Sequence, residues 1–191
     1  MKTPFRLQIS EYDCVPTTFI NAITFLFERN EIPPTVIHKI YLYSLDTITT
    51  RQNIGYGTSG FAVQMLGNWL ESYKKNKFSL SSEYMEHENI HLKGGNKISK
   101  CVNEGGVALL RVHTGNNGWH FILVLSIANG SALCFDPYPK KNSKNFKGKL
   151  KFINSPDMCL RNLEINTAYL DTYSNKSKYC IYYFKSRPYF S

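Results

Sequence analysis

Gln8-Ile9-Ser10-Glu11-Tyr12-Asp13-Cys14-Val15-Pro16-Thr17-Thr18-Phe19-Ile20 reads as a short extended segment running into a helix, with a cysteine at the junction. A helix N-terminus presents unpaired N–H groups and the positive end of the macrodipole. Both favour a thiolate, which is the reactive form of cysteine. Gln8, six residues before Cys14, can offer its side-chain amide to a developing oxyanion. The chemistry this segment points to is attack of Cys14 on an acyl carbon.

Such a nucleophile needs an imidazole to take its proton and a third group to orient that imidazole. The five histidines are His38, His87, His91, His113 and His120. His38 falls in a helical stretch, and His87 and His91 fall in a polar one; these read as surface residues. His120 follows Gly118-Trp119 and opens the apolar run to Ile127, which places it at the rim of a sheet. A turn at Ala128-Asn129-Gly130 folds that strand onto Ser131–Asp136. If 127 pairs with 131, His120 lies opposite about 138, and a slip of one or two residues brings Asp136 beside it or diagonal to it. Each member also has an ordinary structural use: Asp136 as a turn-forming residue before Pro137, His120 as an edge histidine, Cys14 as a small buried hydrophobe. The combination carries the catalytic expectation, with Cys14, His120, Asp136 and Gln8 as site residues.

The elements that must position these groups follow from periodicity. Val15, Phe19, Ile23 and Phe27 recur every four residues, with Ile20 and Leu26 beside them, so a helix is predicted over 14–27 with one apolar face. Pro16 suits its first turn and Asp13 its N-cap. A second helix is predicted over about 35–45, with Val36, Ile37, Ile40 and Tyr41 inward. Gly55, Gly57 and Gly60 have the spacing of a dinucleotide fingerprint. No strong strand precedes them and no acid is placed for a ribose, so they read as a loop into a third helix. That helix would turn Phe61, Met65, Leu66, Trp69 and Leu70 inward. A strand within 78–84, a short helix over 96–104 ended by Gly105-Gly106, and strands 107–112, 120–127, 131–136 and 179–184 complete the pattern. Helices first and an antiparallel sheet after them predict a two-layer α+β fold. The helical part would run over about 1–105 and the sheet part over about 106–191 of a single domain. Loops 46–60 and 113–119 would line the cleft, with Gly57, Thr58 and Ser59 facing it.

Composition bounds the rest. A chain of 191 residues that is 14% aromatic can bury a real core. The net charge is +9, and Lys140, Lys141, Lys144, Lys147, Lys149 and Lys151 supply most of it from one stretch free of acids. Such a run reads as a solvated loop or a contact for an acidic partner. Phe146 and Phe152 are too few for a nucleic-acid stacking platform, so no nucleic acid is expected. Five cysteines with no CxxC pair fit neither a disulfide framework nor a structural zinc site, and no metal or organic cofactor is expected. There is no signal-peptide pattern and no bilayer-spanning run. A cytoplasmic protein is therefore expected, or a secreted one if a signal peptide has been removed.

Gln-x5-Cys at a helix start, followed by His and Asp on later strands, resembles the order of the papain-like cysteine peptidases. Asp13-Cys14-Val15-Pro16-Thr17, Gly118-Trp119-His120-Phe121-Ile122-Leu123-Val124 and Phe135-Asp136-Pro137-Tyr138 resemble more closely the bacteriocin-processing peptidase group. Those enzymes cut leader peptides after a double glycine, often at the front of a transporter. The resemblance spans about residues 8–138. It implies a papain-like fold, Cys14 as nucleophile, His120 as general base and acid, and Asp136 as orienter. It also implies an oxyanion hole made by Gln8 and the Cys14 N–H. The substrate would be a peptide or another acyl compound. Val15 stands where many relatives have glycine, and the chain carries no transporter. A related Cys-His-Asp group in natural-product assembly transfers acyl groups instead, and some relatives without the cysteine only bind peptides. The stretch after Lys149 carries no motif that resembles either.

Overall fold

The computed structural model describes residues 3–48, 54–75, 77–86, 90–92, 95–113, 119–138, 150–152, 161–174 and 180–186. Of these, 113, 150–152, 171–174 and 180–186 are described as backbone alone. Lys140 to Lys149, Gly118 and His87 lie outside the described residues.

In chain order the α-helices are α1 (Cys14–Leu26), α2 (Pro34–Tyr43), α3 (Gly60–Ser72), α4 (Lys97–Asn103) and α5 (Thr167–Ser174). The strands are β1 (Leu80–Glu86), β2 (Val107–His113), β3 (Trp119–Ala128), β4 (Ser131–Phe135), β5 (Leu150–Phe152), β6 (Leu163–Asn166) and β7 (Cys180–Ser186). The strands form one sheet in the order β1-β7-β2-β3-β4-β6-β5. Every neighbouring pair is antiparallel. The fold is therefore α+β. Its two predicted halves are not separate, because β1 comes from the helical half and pairs with β7 near the C-terminus.

Helices cover both faces of the sheet, which corrects the two-layer expectation. Phe121, Leu123, Phe135, Val107 and Leu109 pack with α1, α2 and α3. The alternate residues Ile122, Val124, Cys134, Ala108 and Leu110 pack with Ile98 and Val102 of α4, and with Tyr169 and Leu170 of α5. A sheet buried on both faces is why the runs in β2 and β3 are apolar at nearly every position instead of alternating.

The central helix departs from prediction in the same direction. All residues from Cys14 to Thr24 are buried, so α1 has no solvent face. Its polar side chains are satisfied inside. Asn21 grips the Arg6 backbone, accepting from its N–H at 2.8 Å and donating to its carbonyl at 2.9 Å. Thr24 donates to the Asn21 carbonyl at 3.1 Å. Phe19 and Ile23 are fully buried, and truncating either to alanine is expected to cost about 3–5 kcal/mol.

The other helices sit at the edge. Val36 and Ile40 of α2 are buried, but Tyr41 is exposed, because a short peripheral helix buries only the narrow stripe at i and i+4. In α3 the buried face is Ala62, Val63, Leu66, Gly67 and Leu70; Phe61 is 75% exposed, against expectation. The helix is rotated so that its small residues meet β1, where Ser82 Oγ donates to the Gly67 carbonyl at 3.2 Å. Among the described residues no helix is long and apolar enough to cross a membrane.

Candidate active site

Three elements deliver the predicted residues to one place. α1 delivers Cys14 at its first position. Asp13 holds the N-cap position, but its carboxylate does not cap the helix. It turns back instead and accepts from Ile9 N at 3.0 Å, Ser10 N at 2.9 Å and Ser10 Oγ at 2.9 Å. The turn between Gln8 and Cys14 has its own N–H groups to satisfy, and Asp13 serves them first. Pro16 has no N–H, and Thr17 N donates to the Asp13 carbonyl at 3.1 Å. The first-turn N–H groups of Cys14 and Val15 therefore have no side-chain cap, and they form the positive end of the helix.

β3 delivers His120, and the β3–β4 hairpin leads to its partner. The turn is the two-residue Asn129-Gly130, with φ of 51° and 74°, so 128 pairs with 131 and 127 with 132. That is one residue away from the predicted pairing. A bulge between Val124 and Ser126 then resets the ladder, so that Val124 pairs with Cys134 and Leu123 with Phe135. Asp136 follows directly on this reset register, just past the last paired residue.

His120 Nε2 lies 2.7 Å from Asp136 Oδ1. With Nε2 engaged there, Nδ1 is the nitrogen left for the Cys14 thiol, whose proximity helps to raise the imidazole. Burial pulls the His120 pKa down. The hydrogen bonds to Asp136 and Cys14, with the negative charge of both partners, outweigh it and push the group up to about 9. Thr18 joins helix to strand: its Oγ1 lies 2.6 Å from the Cys14 carbonyl and 3.3 Å from that of Phe121, next to His120.

Asp136 makes two contacts through one oxygen. Its Oδ1 accepts from Tyr138 N at 2.8 Å, which makes the turn at Pro137, and the same oxygen holds His120. Its backbone is gripped by Asn162, which no sequence signal marked: Asp136 N donates to Asn162 Oδ1 and Asn162 Nδ2 donates to the Asp136 carbonyl, each at 2.7 Å.

Gln8 enters through the same loop. Its N–H donates to the Pro137 carbonyl at 2.9 Å. Its side-chain Nε2 donates to the Ser10 carbonyl at 2.7 Å, which uses one of two amide hydrogens. Its Oε1 is buried with no hydrogen-bond partner among the described residues. Gly57, Thr58 and Ser59, expected to face a cleft, serve their own loop. Gly57 O accepts from Thr47 N, Thr58 Oγ1 accepts from Leu45 N, and Ser59 caps α3 by accepting from Ala62 N. Tyr56 of that loop packs edge-on to Tyr12, with ring centroids 4.7 Å apart. Exposed Trp119 beside His120 carries Arg111 over its ring at 4.0 Å, and Tyr138 is exposed beyond Asp136.

Among the described residues no group of three or more His, Cys, Asp or Glu side chains is arranged to hold a metal ion. No protein-family model matches the chain, and no curated protein matches it.

Proposed function

We propose that the chain is a papain-like thiol hydrolase, related in kind to the bacteriocin-processing peptidases, that cleaves a peptide or another acyl compound. The observation that carries this is His120 held between the Cys14 thiol and the Asp136 carboxylate, with its proton stabilised well above the ordinary histidine range. A raised imidazole next to a thiol favours transfer of the thiol proton to the ring, giving a thiolate–imidazolium pair.

In the first half-reaction the Cys14 thiolate attacks the carbonyl carbon and a C–S bond forms. The oxyanion is met by the uncapped N–H at Cys14 and by the second amide hydrogen of Gln8. The tetrahedral intermediate collapses, the bond to the leaving group breaks, and His120 gives that group its proton. Water, deprotonated by His120, then attacks the thioester and frees Cys14. Asp136 keeps the ring oriented throughout.

The test is site-mapped alkylation by limiting iodoacetamide at mildly acidic pH. A thiol of ordinary pKa is about 0.1% thiolate near pH 5.5. Cys14 is expected to react far ahead of Cys101 and Cys134, and His120→Ala to slow it by two to three orders of magnitude. Equal rates at Cys14, Cys101 and Cys134 in the native chain would sink the proposal. Trapping the acyl-enzyme and offering water or amine acceptors then separates hydrolysis from acyl transfer.

A further inference from the structure

We propose that Asn162 is a positioning residue of this site: its side-chain amide clamps the Asp136 peptide and so holds the Asp136 carboxylate on His120. The inference rests on the thiol-hydrolase reading and extends it beyond the stretch that resembles a known family.

β4 ends at Phe135, so Asp136 lies just past the point where ladder hydrogen bonds stop. Its N–H and carbonyl both need new partners, and Asn162 supplies one of each polarity at 2.7 Å. A primary amide carries a donor and an acceptor side by side, which lets it stand in for a neighbouring strand. Two bonds to the peptide units on either side of one Cα fix the direction of its Cβ. Pro137 restrains the next residue, and the carboxylate is left aimed at two donors, His120 Nε2 and Tyr138 N. Asn162 is itself fixed. It is 5% exposed, its own N–H donates to the Cys134 carbonyl at 3.1 Å, and β6 begins at the next residue. The amide therefore acts from a rigid base and touches neither Cys14 nor His120 in the contacts above. Its effect on the chemistry has to pass through Asp136.

The experiment uses the full chain as wild type, Asn162→Ala and Thr167→Ala. Thr167 sits just past the far end of β6, where its Oγ1 donates to the Gly130 carbonyl at 3.0 Å. It controls for a loss of β6 packing with no route to Asp136. The readouts are the NMR titration of the His120 ring, the pH profile of Cys14 alkylation, and the melting temperature. Asn162→Ala is expected to move the His120 titration from about 9 toward the ordinary 6.5. The pH profile of Cys14 alkylation should shift with it. Thr167→Ala is expected to lower the melting temperature and leave both profiles in place. Asn162→Ser, whose hydroxyl is too short to grip both groups, is expected to act in the same direction and serves if the alanine variant does not fold. A folded Asn162 variant with unchanged titration and alkylation overturns the inference while the hydrolase reading stands. If Cys14 holds no lead in wild type, both fall together.

Discussion

Cys14 and Cys134 are both buried free thiols near the Asp136–His120 pair, and their surroundings differ. Cys134 is fully buried in β4, two residues before Asp136, with its Sγ 3.8 Å from the Ala132 carbonyl. Burial pushes its thiol well up, and the negative charge of Asp136 pushes it further. Cys14 faces Asp136 through His120, at the open end of a helix. The charge of Asp136 disfavours the Cys134 thiolate directly, whereas its hydrogen bond on the side of Cys14 is to His120. Both thiols are buried; what distinguishes Cys14 is the imidazole beside it and its place at the helix start.

The largest effect that can break this contrast is removal of either sulfur. Cys14→Ala is expected to reduce release of nitrophenol from 4-nitrophenyl acetate to the buffer rate. Cys134→Ala should leave that rate within about twofold, since a buried thiol of raised pKa is inert. A dead Cys134→Ala variant that still folds would mean the wrong cysteine has been assigned.

Asp136→Asn sharpens the contrast from its centre. Loss of the carboxylate removes a hydrogen bond and a charge that raise His120, so the ring should titrate lower and the pH profile of Cys14 alkylation should shift with it. Stability carries the same signature. His120 keeps its proton up to about 9 when folded, against 6.5 ordinarily. The stabilisation tied to that proton is therefore full below pH 6.5 and lost as pH rises through about 9. The advantage of wild type over His120→Gln in urea unfolding should shrink across that window. An advantage that stays flat from pH 6 to 10 would contradict the assignment.

Gln8→Ala separates attack from oxyanion stabilisation. Acyl hydrolysis is expected to fall about a hundredfold, while iodoacetamide alkylation, which forms no oxyanion, holds its rate. Equal losses in both assays would make Gln8 a purely structural residue. The smallest effect belongs to the other end of the hairpin. Asn129 has a φ of 51°, a conformation that costs other L residues about 1–2 kcal/mol. Asn129→Ala should lower the melting temperature by a few degrees with no change at Cys14. A change in His120 titration in that variant would show that the bulge does not insulate the site from the turn.

What the amino-acid order settled by itself was local. Cys14 at a helix start, the runs that form β1 to β4 and β7, the Asn129-Gly130 turn and the stop at Gly105-Gly106 are visible, because each follows from the torsional preferences or periodicity of a few adjacent residues, whereas β5, β6 and α5 were not foreseen. The pairing of His120 with Asp136 was visible too, although the predicted turn was one residue off and a bulge at 124–126 shifts the register. The tertiary structure alone decided the rest. Asp13 abandoned its expected cap for a loop whose N–H groups needed an acceptor. α1 lost its solvent face, and the sheet gained helices on both sides. Asn162 reached Asp136 across 26 residues of chain. Hydrogen-bond satisfaction is a property of the whole packed interior, and a buried donor takes whichever acceptor the fold brings within about 3 Å. Periodicity in the chain cannot carry that information, and here it decides which side chain holds the Asp136 backbone.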